Sequence, residues 1–270
     1  MTDVPLEDDG FNTLTEKITR ERGFGCASYK EKCVRRRIAV RMRARSVHTF
    51  ADYGLVLDRD PHEYELLLDA LTINVTKFFR NPETFAAIDG ELIPALYARV
   101  EPQLRIWSAG CASGEEPYSM AMLMHRYATT QGKRFDRVEV LGTDLDRTSL
   151  ASAERAVYLE PTLSDTPAEL RQLYFSTQPP YRIHADVRAR VQFRRHDLLR
   201  EPFPEPQHLI ICRNVIIYFD RVTQEALFER FADALLPDGF LVLGRVETLF
   251  GPARAKFAPV DSRERLFRRL

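Results

Sequence analysis

The sequence predicts an α/β fold: a domain with a mostly parallel sheet and a small antiparallel β insertion, preceded by a helical N-terminal domain. Short apolar runs recur after residue 100 and alternate with helix-favouring segments, which is typical of a parallel sheet. Residues 11–71 lack strand-like alternation and indicate consecutive helices. Two alternating runs after Pro179 and Pro180, within residues 176–195, predict the antiparallel insertion.

The composition is that of a folded protein without a dominant charge. Of 270 residues, 44% are hydrophobic and 29% are charged, which is enough to bury a sizeable core. Lysine plus arginine equals aspartate plus glutamate, at 39 each, which argues against nucleic acid as a partner. No apolar run could span a bilayer and the first ten residues do not resemble a signal peptide, so we expect no membrane insertion and a cytoplasmic location. The four cysteines form no CxxC pair, so we expect no metal.

The helical N-terminal domain is expected over residues 1–72. Its first helix ends at Gly23, its second covers residues 29–45, and two more follow. Apolar residues recur every four positions on one face of the second helix. Arginines form a row on another face: Arg37, Arg41 and Arg45. Such a row is either a solvated basic surface or a docking surface for an acidic partner helix.

Residues 104–117 form the stretch around which the sheet domain is organised. The apolar residues from Leu104 to Trp107 predict a buried strand, and a turn of very small residues follows between Gly110 and Gly114. A helix is expected after this turn, because an apolar helix-favouring run follows Pro117. Backbone in such a turn can approach a ligand closely, so Gly110 is a candidate cofactor-binding residue. Glu116, two residues after the turn, is a second candidate. An ordinary tight turn between strand and helix gives the same pattern.

Asp144 stands where the next apolar run, residues 138–143, would end as a strand. In nucleotide-binding α/β folds an acidic residue at this point accepts hydrogen bonds from both hydroxyls of a ribose. The turn sequence GCASG is not GxGxxG, and Asp144 lies further along the chain than the dinucleotide fingerprint places its acidic residue. We therefore expect an adenosyl-bearing cofactor other than NAD.

Six stretches of the chain resemble one family, the chemotaxis receptor methyltransferases, CheR. They keep the family order and cover most of the chain: INVTKFFRNPETF (73–85), IWSAGCASGEEPYSM (106–120), LGTDLD (141–146), HDLL (196–199), IICRNVIIYFD (210–220) and LPDGFLVLG (236–244). The resemblance implies a Rossmann-like S-adenosylmethionine-dependent methyltransferase domain over residues 89–270, with a β-subdomain at about 176–195. It also implies a linker, residues 73–88, that contributes to the cofactor pocket.

The resemblance implies a reaction and its participants. A methyl group passes from S-adenosyl-L-methionine to glutamate side-chain carboxylates of chemoreceptor cytoplasmic domains, and S-adenosyl-L-homocysteine remains. The residues implied at the cofactor are Asn74, Thr76 and Arg80 from the linker, Asp197 and Leu198 at the adenine end, and Arg213 and Asn214 after the strand 209–212.

The same resemblance implies two catalytic residues. Arg80 would orient a carboxylate, since an arginine can pair with one through two hydrogen bonds, and Tyr218 would face the transferred methyl group. It also favours the docking interpretation of Arg37, Arg41 and Arg45.

Two residues depart from the family pattern. Val246 in GRVET (244–248) stands where a serine usually precedes the glutamate, and His208 replaces a common aspartate. Two alternatives therefore stay open: a methyltransferase of the same fold acting on another carboxylate or a small molecule, and a non-catalytic module that binds the cofactor and regulates a partner. RNVIIYF (213–219) lacks the Asn/Asp-Pro-Pro-aromatic motif of DNA and RNA amino methyltransferases, which argues against a flipped base as substrate.

Overall fold

The computed structural model describes residues 10–72 and 76–270. The chain divides into two compact units. The helical unit comprises Met1–Ile73 together with Tyr218–Thr223, and the sheet unit comprises Asn74–Ile217 together with Gln224–Leu270. No helix within the described ranges is both long enough and apolar enough to cross a membrane.

Within residues 10–72 the helical unit contains four α-helices: α1 (Phe11–Arg22), α2 (Glu31–Ala44), α3 (Phe50–Arg59) and α4 (Pro61–Leu71). Gly23 ends α1 in the left-handed conformation, as its position in the sequence predicts. Asp60 begins α4 by accepting hydrogen bonds from the backbone N–H groups of His62 and Glu63, and Pro61 takes the first helical position. The helical N-terminal part of the predicted fold class is confirmed.

The remaining α-helices are α5 (Pro82–Ala87), α6 (Ile93–Ala98), α7 (Glu115–Thr130), α8 (Arg147–Arg155), α9 (Ala168–Tyr174), α10 (Ala185–Arg188) and α11 (Arg221–Ala234). The strands are β1 (Leu104–Ala109), β2 (Val138–Asp144), β3 (Val157–Tyr158), β4 (Tyr181–Arg182), β5 (Val191–Arg195), β6 (Gln207–Cys212), β7 (Leu235–Leu243), β8 (Phe257–Asp261) and β9 (Leu266–Arg269). Seven strands form the main sheet in the order β5-β2-β1-β6-β7-β9-β8.

The main sheet is parallel from β5 to β7, and β9 runs antiparallel to both of its neighbours. The central strands are buried on both faces, which is why β6 consists of six buried residues and reads as a nearly continuous apolar run. The carboxyl ends of β5, β2, β1, β6 and β7 share one edge of the sheet, the edge where open α/β sheets bind ligands. The predicted α/β class is confirmed.

The antiparallel insertion differs in extent from the expectation for residues 176–195. Its sheet pairs β4 with β3, with Tyr158 opposite Tyr181, and an isolated bridge joins Phe175 to Ile183. The second alternating run does not belong to it, because residues 185–188 form the short helix α10 and β5 then pairs in parallel with β2 in the main sheet.

Candidate functional site

The turn after β1 is attached to the end of β2. Its residues Gly110 and Ala112 both have positive φ angles, 83° and 46°. The N–H groups of Gly110 and Cys111 donate to the carbonyl oxygen of Thr143, at 2.8 and 2.9 Å. The small side chains predicted for this turn therefore let the backbone fold back onto the neighbouring strand.

Asp144, at the end of β2, holds the same turn from the other side. Its Oδ2 accepts a hydrogen bond from the Ala112 N–H at 2.8 Å, and its Oδ1 accepts one from the Asp146 N–H at 3.0 Å. Each carboxylate oxygen has a second lone pair, so the two oxygens can also accept hydrogen bonds from two ribose hydroxyls. Burial raises the pKa of Asp144, although the two backbone hydrogen bonds oppose that shift. The structure thus brings together Gly110 and Asp144, two residues that the sequence predicts in one site.

Glu116 lies in the first turn of α7 and points back toward β1. The Ser108 hydroxyl donates to its Oε1 at 2.8 Å, and Arg213 Nη1 lies 3.3 Å from its Oε2. Burial raises the pKa of Glu116, and the positive charges of Arg213 and Arg80 act in the opposite direction. Glu116, Arg213 and Arg80 therefore form a cluster of three charged groups at the ligand edge of the sheet.

Arg213 follows β6 and is almost fully buried. Its Nη2 donates to the Arg80 carbonyl oxygen at 2.6 Å and to Asn81 Oδ1 at 2.9 Å, and its guanidinium lies 5.3 Å from the Phe85 ring centroid. These contacts connect the end of β6 to the segment that leads into α5. Arg213 thus supports the pocket wall through protein groups, and its expected contact with the cofactor stays a prediction.

The linker residues are only partly described. Asn74 lies outside the described residues, whereas Thr76 and Arg80 are half-buried in the sheet unit. The backbone N–H of Phe79 donates to the Ser119 hydroxyl at 3.0 Å, which fixes the linker against α7. The roles of Asn74 and Thr76 at the cofactor stay predictions.

Asp197 and Leu198 follow β5 at the same edge. The backbone N–H of His196 donates to the Asp144 carbonyl oxygen at 2.9 Å, so this segment starts beside the candidate ribose site. Asp197 Oδ1 accepts from the Leu199 N–H at 2.8 Å. Residues 196–206, all of them described, connect β5 to β6 without a helix.

Arg230 of α11 holds that connection, and sequence reasoning gave it no role. Its guanidinium donates to the carbonyl oxygens of Leu198 and Glu201, the second at 2.6 Å, and lies 3.8 Å from the Phe203 ring centroid. A single arginine in an amphipathic helix is not part of a recognisable motif, so this contact is visible only in the structure.

Asn214 and Glu247 are linked after β6. Asn214 has a φ of 61°, and its backbone N–H donates to Glu247 Oε2 at 3.1 Å. The sequence shows a glutamate beside Val246, but nothing in the pattern indicates what that glutamate contacts.

Tyr218 belongs to the helical unit, and its ring centroid lies 4.9 Å from Cζ of Arg37. Its carbonyl oxygen accepts from the Lys30 N–H at 2.8 Å. Its expected place beside the transferred methyl group stays a prediction.

The three arginines of the row, two on α2 and Arg45 directly after it, all contact groups of their own unit. Arg37 donates to the carbonyl oxygen of Leu71, and burial lowers the pKa of Arg37. Arg41 pairs with the buried Glu63, and Arg45 Nη2 lies 3.1 Å from Asp60 Oδ2. Their role in partner binding stays a prediction.

No group of three or more His, Cys, Asp or Glu side chains in residues 10–72 and 76–270 is arranged to hold a metal ion.

Comparisons with known proteins give matches to one family. The family model for the SAM binding domain of CheR methyltransferase matches residues 74–266, and the model for the all-alpha domain of CheR methyltransferase matches residues 9–72. The chain is 32% identical over 260 residues to a chemotaxis protein methyltransferase of Listeria monocytogenes, covering 96% of this chain and 97% of that protein. It is 35% identical over 246 residues to chemotaxis protein methyltransferase 2 of Pseudomonas aeruginosa, covering 88% and 86% of the two chains.

The chemotaxis protein methyltransferase of Escherichia coli is 32% identical over 253 residues, covering 90% of this chain and 86% of that protein. The chain thus combines a turn of small residues, an aspartate at the end of the second strand and a helical N-terminal domain. It also matches these relatives over 86–97% of their length. The chain belongs to the CheR methyltransferase family.

Proposed function

We propose that this protein transfers a methyl group from S-adenosylmethionine to glutamate side-chain carboxylates of chemoreceptors, forming methyl esters. The observation that supports this most directly is the ligand edge of the parallel sheet. There the turn at Gly110, the carboxylate of Asp144 and the cluster of Glu116, Arg213 and Arg80 meet, within a chain of the CheR methyltransferase family.

Different residues at this edge are proposed to contact different parts of the cofactor. Asp144 would hold the ribose hydroxyls, and Asp197 and Leu198 the adenine end. The remaining proposed cofactor contacts are Asn74, Thr76, Arg80, Gly110, Glu116, Arg213 and Asn214. When bound, S-adenosylmethionine supplies a methyl group carried on a positively charged sulfur.

The acceptor requires little proton chemistry from the protein. A glutamate carboxylate is ionised at neutral pH because its ordinary pKa is about 4.3, so no general base is needed. The chain must instead align the carboxylate and exclude water from it. Alignment of this kind contributes on the order of 7 to 11 kcal/mol to catalysis.

Arg80 is proposed to orient a carboxylate and Tyr218 to line the path of the methyl group. The Arg80 charge also acts on Glu116, so Arg80 would hold a second carboxylate less tightly than an isolated arginine would. That favours steering, because a tight pair would stabilise the ground state as the charges cancel in the transition state. We expect Tyr218→Phe to lower kcat on the order of tenfold or more with little change in cofactor Kd, and the reverse pattern would reject this role.

The proposed partners are the cytoplasmic domains of chemoreceptors, with helix α2 as the docking element. Arg37, Arg41 and Arg45 would contribute charge to this surface while their guanidinium groups fix α2 in the unit. Three further basic residues of α2 are exposed: Lys32, Arg36 and Arg43. A receptor partner places the protein in the cytoplasm.

The experiment uses purified protein, S-adenosylmethionine with a radiolabelled methyl group, and receptor cytoplasmic fragments. Base-labile label on the receptor supports the proposal. Label only on other acceptors favours a methyltransferase for another carboxylate or small molecule, and calorimetric binding without any transfer favours a non-catalytic module. Asp144→Ala should abolish calorimetric binding of S-adenosylhomocysteine, and unchanged binding would reject the assigned pocket.

A further inference from the structure

The carboxylate of Glu247 accepts hydrogen bonds from the backbone N–H groups of the loop that follows β6. Glu247 Oε1 accepts hydrogen bonds from Val215, Ile216 and Ile217 at 3.1, 2.9 and 3.4 Å. Glu247 Oε2 accepts from Asn214 at 3.1 Å and from Gly244 at 2.5 Å. Four consecutive N–H groups, those of residues 214–217, thus point at the same side chain.

This arrangement depends on an ionised carboxylate. Glu247 is 3% exposed, and every partner of its two oxygens given above is an N–H donor. A buried N–H group without an acceptor lowers the stability of the fold, so these N–H groups need a side chain that can accept several hydrogen bonds. Burial raises the pKa of Glu247, and the hydrogen bonds from the backbone act against that shift.

Two glycines let the loop pack closely against its neighbours. A Cβ atom at Gly244 would lie 2.8 Å from Glu247 Oε2 and 2.9 Å from the Asn214 nitrogen. A Cβ atom at Gly110 would lie 2.4 Å from Cγ2 of Val215. The loop is therefore packed between the turn after β1 and the end of β7, with Asn214 in the left-handed conformation.

We propose that Glu247 is a positioning residue of the cofactor site: by accepting the N–H groups of residues 214–217 it holds Asn214 in the one conformation in which its side chain serves the cofactor. This inference rests on the proposed function, because the contact between Asn214 and the cofactor belongs to that proposal. Glu247 itself acts only through the loop.

The first test measures S-adenosylhomocysteine binding by calorimetry in Glu247→Gln. The variant keeps the size of the side chain but turns an NH₂ group toward N–H donors. We expect Kd to rise about tenfold, as for the loss of roughly one hydrogen bond to a charged or strongly polar ligand. Amide hydrogen exchange should become faster at residues 214–217 and stay unchanged in β6.

The matched control is His208→Ala, which changes a buried polar residue at the opposite end of β6. It should lower stability without altering Kd in the folded protein. If Glu247→Gln does not fold, Glu247→Asp tests the same contact, because it keeps the charge but shortens the side chain.

A double-mutant cycle with Asn214→Ala separates positioning from general destabilisation. If Glu247 acts through Asn214, adding Glu247→Gln to Asn214→Ala should change Kd by less than threefold. Full multiplication of the two effects would overturn the proposal, as would a Kd for Glu247→Gln within twofold of the unmodified protein. Because this readout needs no methyl acceptor, native protein that binds S-adenosylhomocysteine but labels no receptor would reject the proposed function and leave the Glu247 result standing.

Discussion

Arg41 and Glu63 form a bidentate ion pair inside the helical unit, with Nε to Oε1 at 3.0 Å and Nη2 to Oε2 at 2.7 Å. The Tyr53 hydroxyl donates to Glu63 Oε1 at 2.6 Å, so the buried carboxylate is held by two residues. Burial alone would raise the pKa of Glu63, but the hydrogen bonds from Arg41 and Tyr53 lower it overall. The pair therefore joins α2 to α4 and is part of the fold.

The first prediction concerns the stability of this unit. Glu63→Gln leaves the Arg41 charge without its partner and should lower the free energy of unfolding by about 3 to 5 kcal/mol. Because the folded-state pKa of Glu63 is lowered, its contribution is present at neutral pH and is lost as pH falls through that pKa. Urea unfolding followed by circular dichroism at pH 7 and at a series of pH values below 4.5 measures both effects. A loss below about 1 kcal/mol at pH 7 would contradict the structural role.

The second prediction separates docking from folding on α2. Arg36→Glu and Arg43→Glu alter exposed charges, so they should weaken binding of a receptor cytoplasmic fragment without changing stability or S-adenosylhomocysteine affinity. Arg41→Glu should also reduce binding, but together with a loss of helical structure. Arg59→Glu on α3 is the matched exposed control. Receptor affinity that is unchanged in Arg36→Glu and Arg43→Glu would remove this face from the docking surface.

The third prediction concerns the adenine end of the pocket. Arg230→Lys keeps the charge but cannot span the Leu198 and Glu201 carbonyl oxygens with one planar group. Affinity for S-adenosylhomocysteine should fall about tenfold, with kcat at saturating cofactor nearly unchanged.

Free adenosine should lose affinity in Arg230→Lys by a similar factor, since the segment that Arg230 holds carries Asp197 and Leu198, the residues proposed for the adenine end. Arg268→Lys changes an exposed arginine of β9 and should change neither value. A fall in kcat without a change in affinity would assign Arg230 a different role.

The fourth prediction is a pH dependence of the sheet unit. His208 Nδ1 accepts from the Arg105 N–H at 3.0 Å, and burial, reinforced by Arg99, lowers the pKa of His208 to about 4. The unfolded chain binds a proton near pH 6.5 that the folded chain does not bind, so stability should fall as pH decreases from about 6.5 to 4. The expected loss is about 3 kcal/mol.

Unfolding of the sheet unit is followed by the fluorescence of the single tryptophan, Trp107, on β1. His208→Asn keeps an acceptor for the Arg105 N–H and does not titrate. Its stability should therefore be about 3 kcal/mol less sensitive to pH over the same interval. Equal pH slopes in the two proteins would show that other groups cause the acid sensitivity.

The sequence was most informative where a residue type has one structural use. Gly23 ended its helix, and the small residues at 110–114 made the turn that reaches β2. Asp144 lay at the end of a buried strand, so its place at the ligand edge followed from the strand itself.

The sequence was least informative about long polar side chains, because the pattern does not show whether such a side chain is solvated or paired with a residue far along the chain. The row of Arg37, Arg41 and Arg45 was visible, but the carboxylate opposite Arg41 comes from another helix. Glu247 and Arg230 contact main-chain atoms about 30 residues away. Nearly every residue type carries these main-chain groups, so the sequence pattern cannot indicate which residues are contacted. Tertiary contacts to backbone are therefore the part of the site that only the fold supplies.

The anchoring of the loop by Glu247 has an evolutionary consequence. Because the five hydrogen bonds described for the carboxylate all come from main-chain N–H groups, relatives can exchange Ile216 and Ile217 for other residues without losing these bonds. Proline is the exception, since it carries no N–H group to donate. Alignments of this family should therefore show variable side chains at 217, apolar side chains at the buried position 216, an absence of proline at both, and a glutamate at 247 that varies far less than its neighbours.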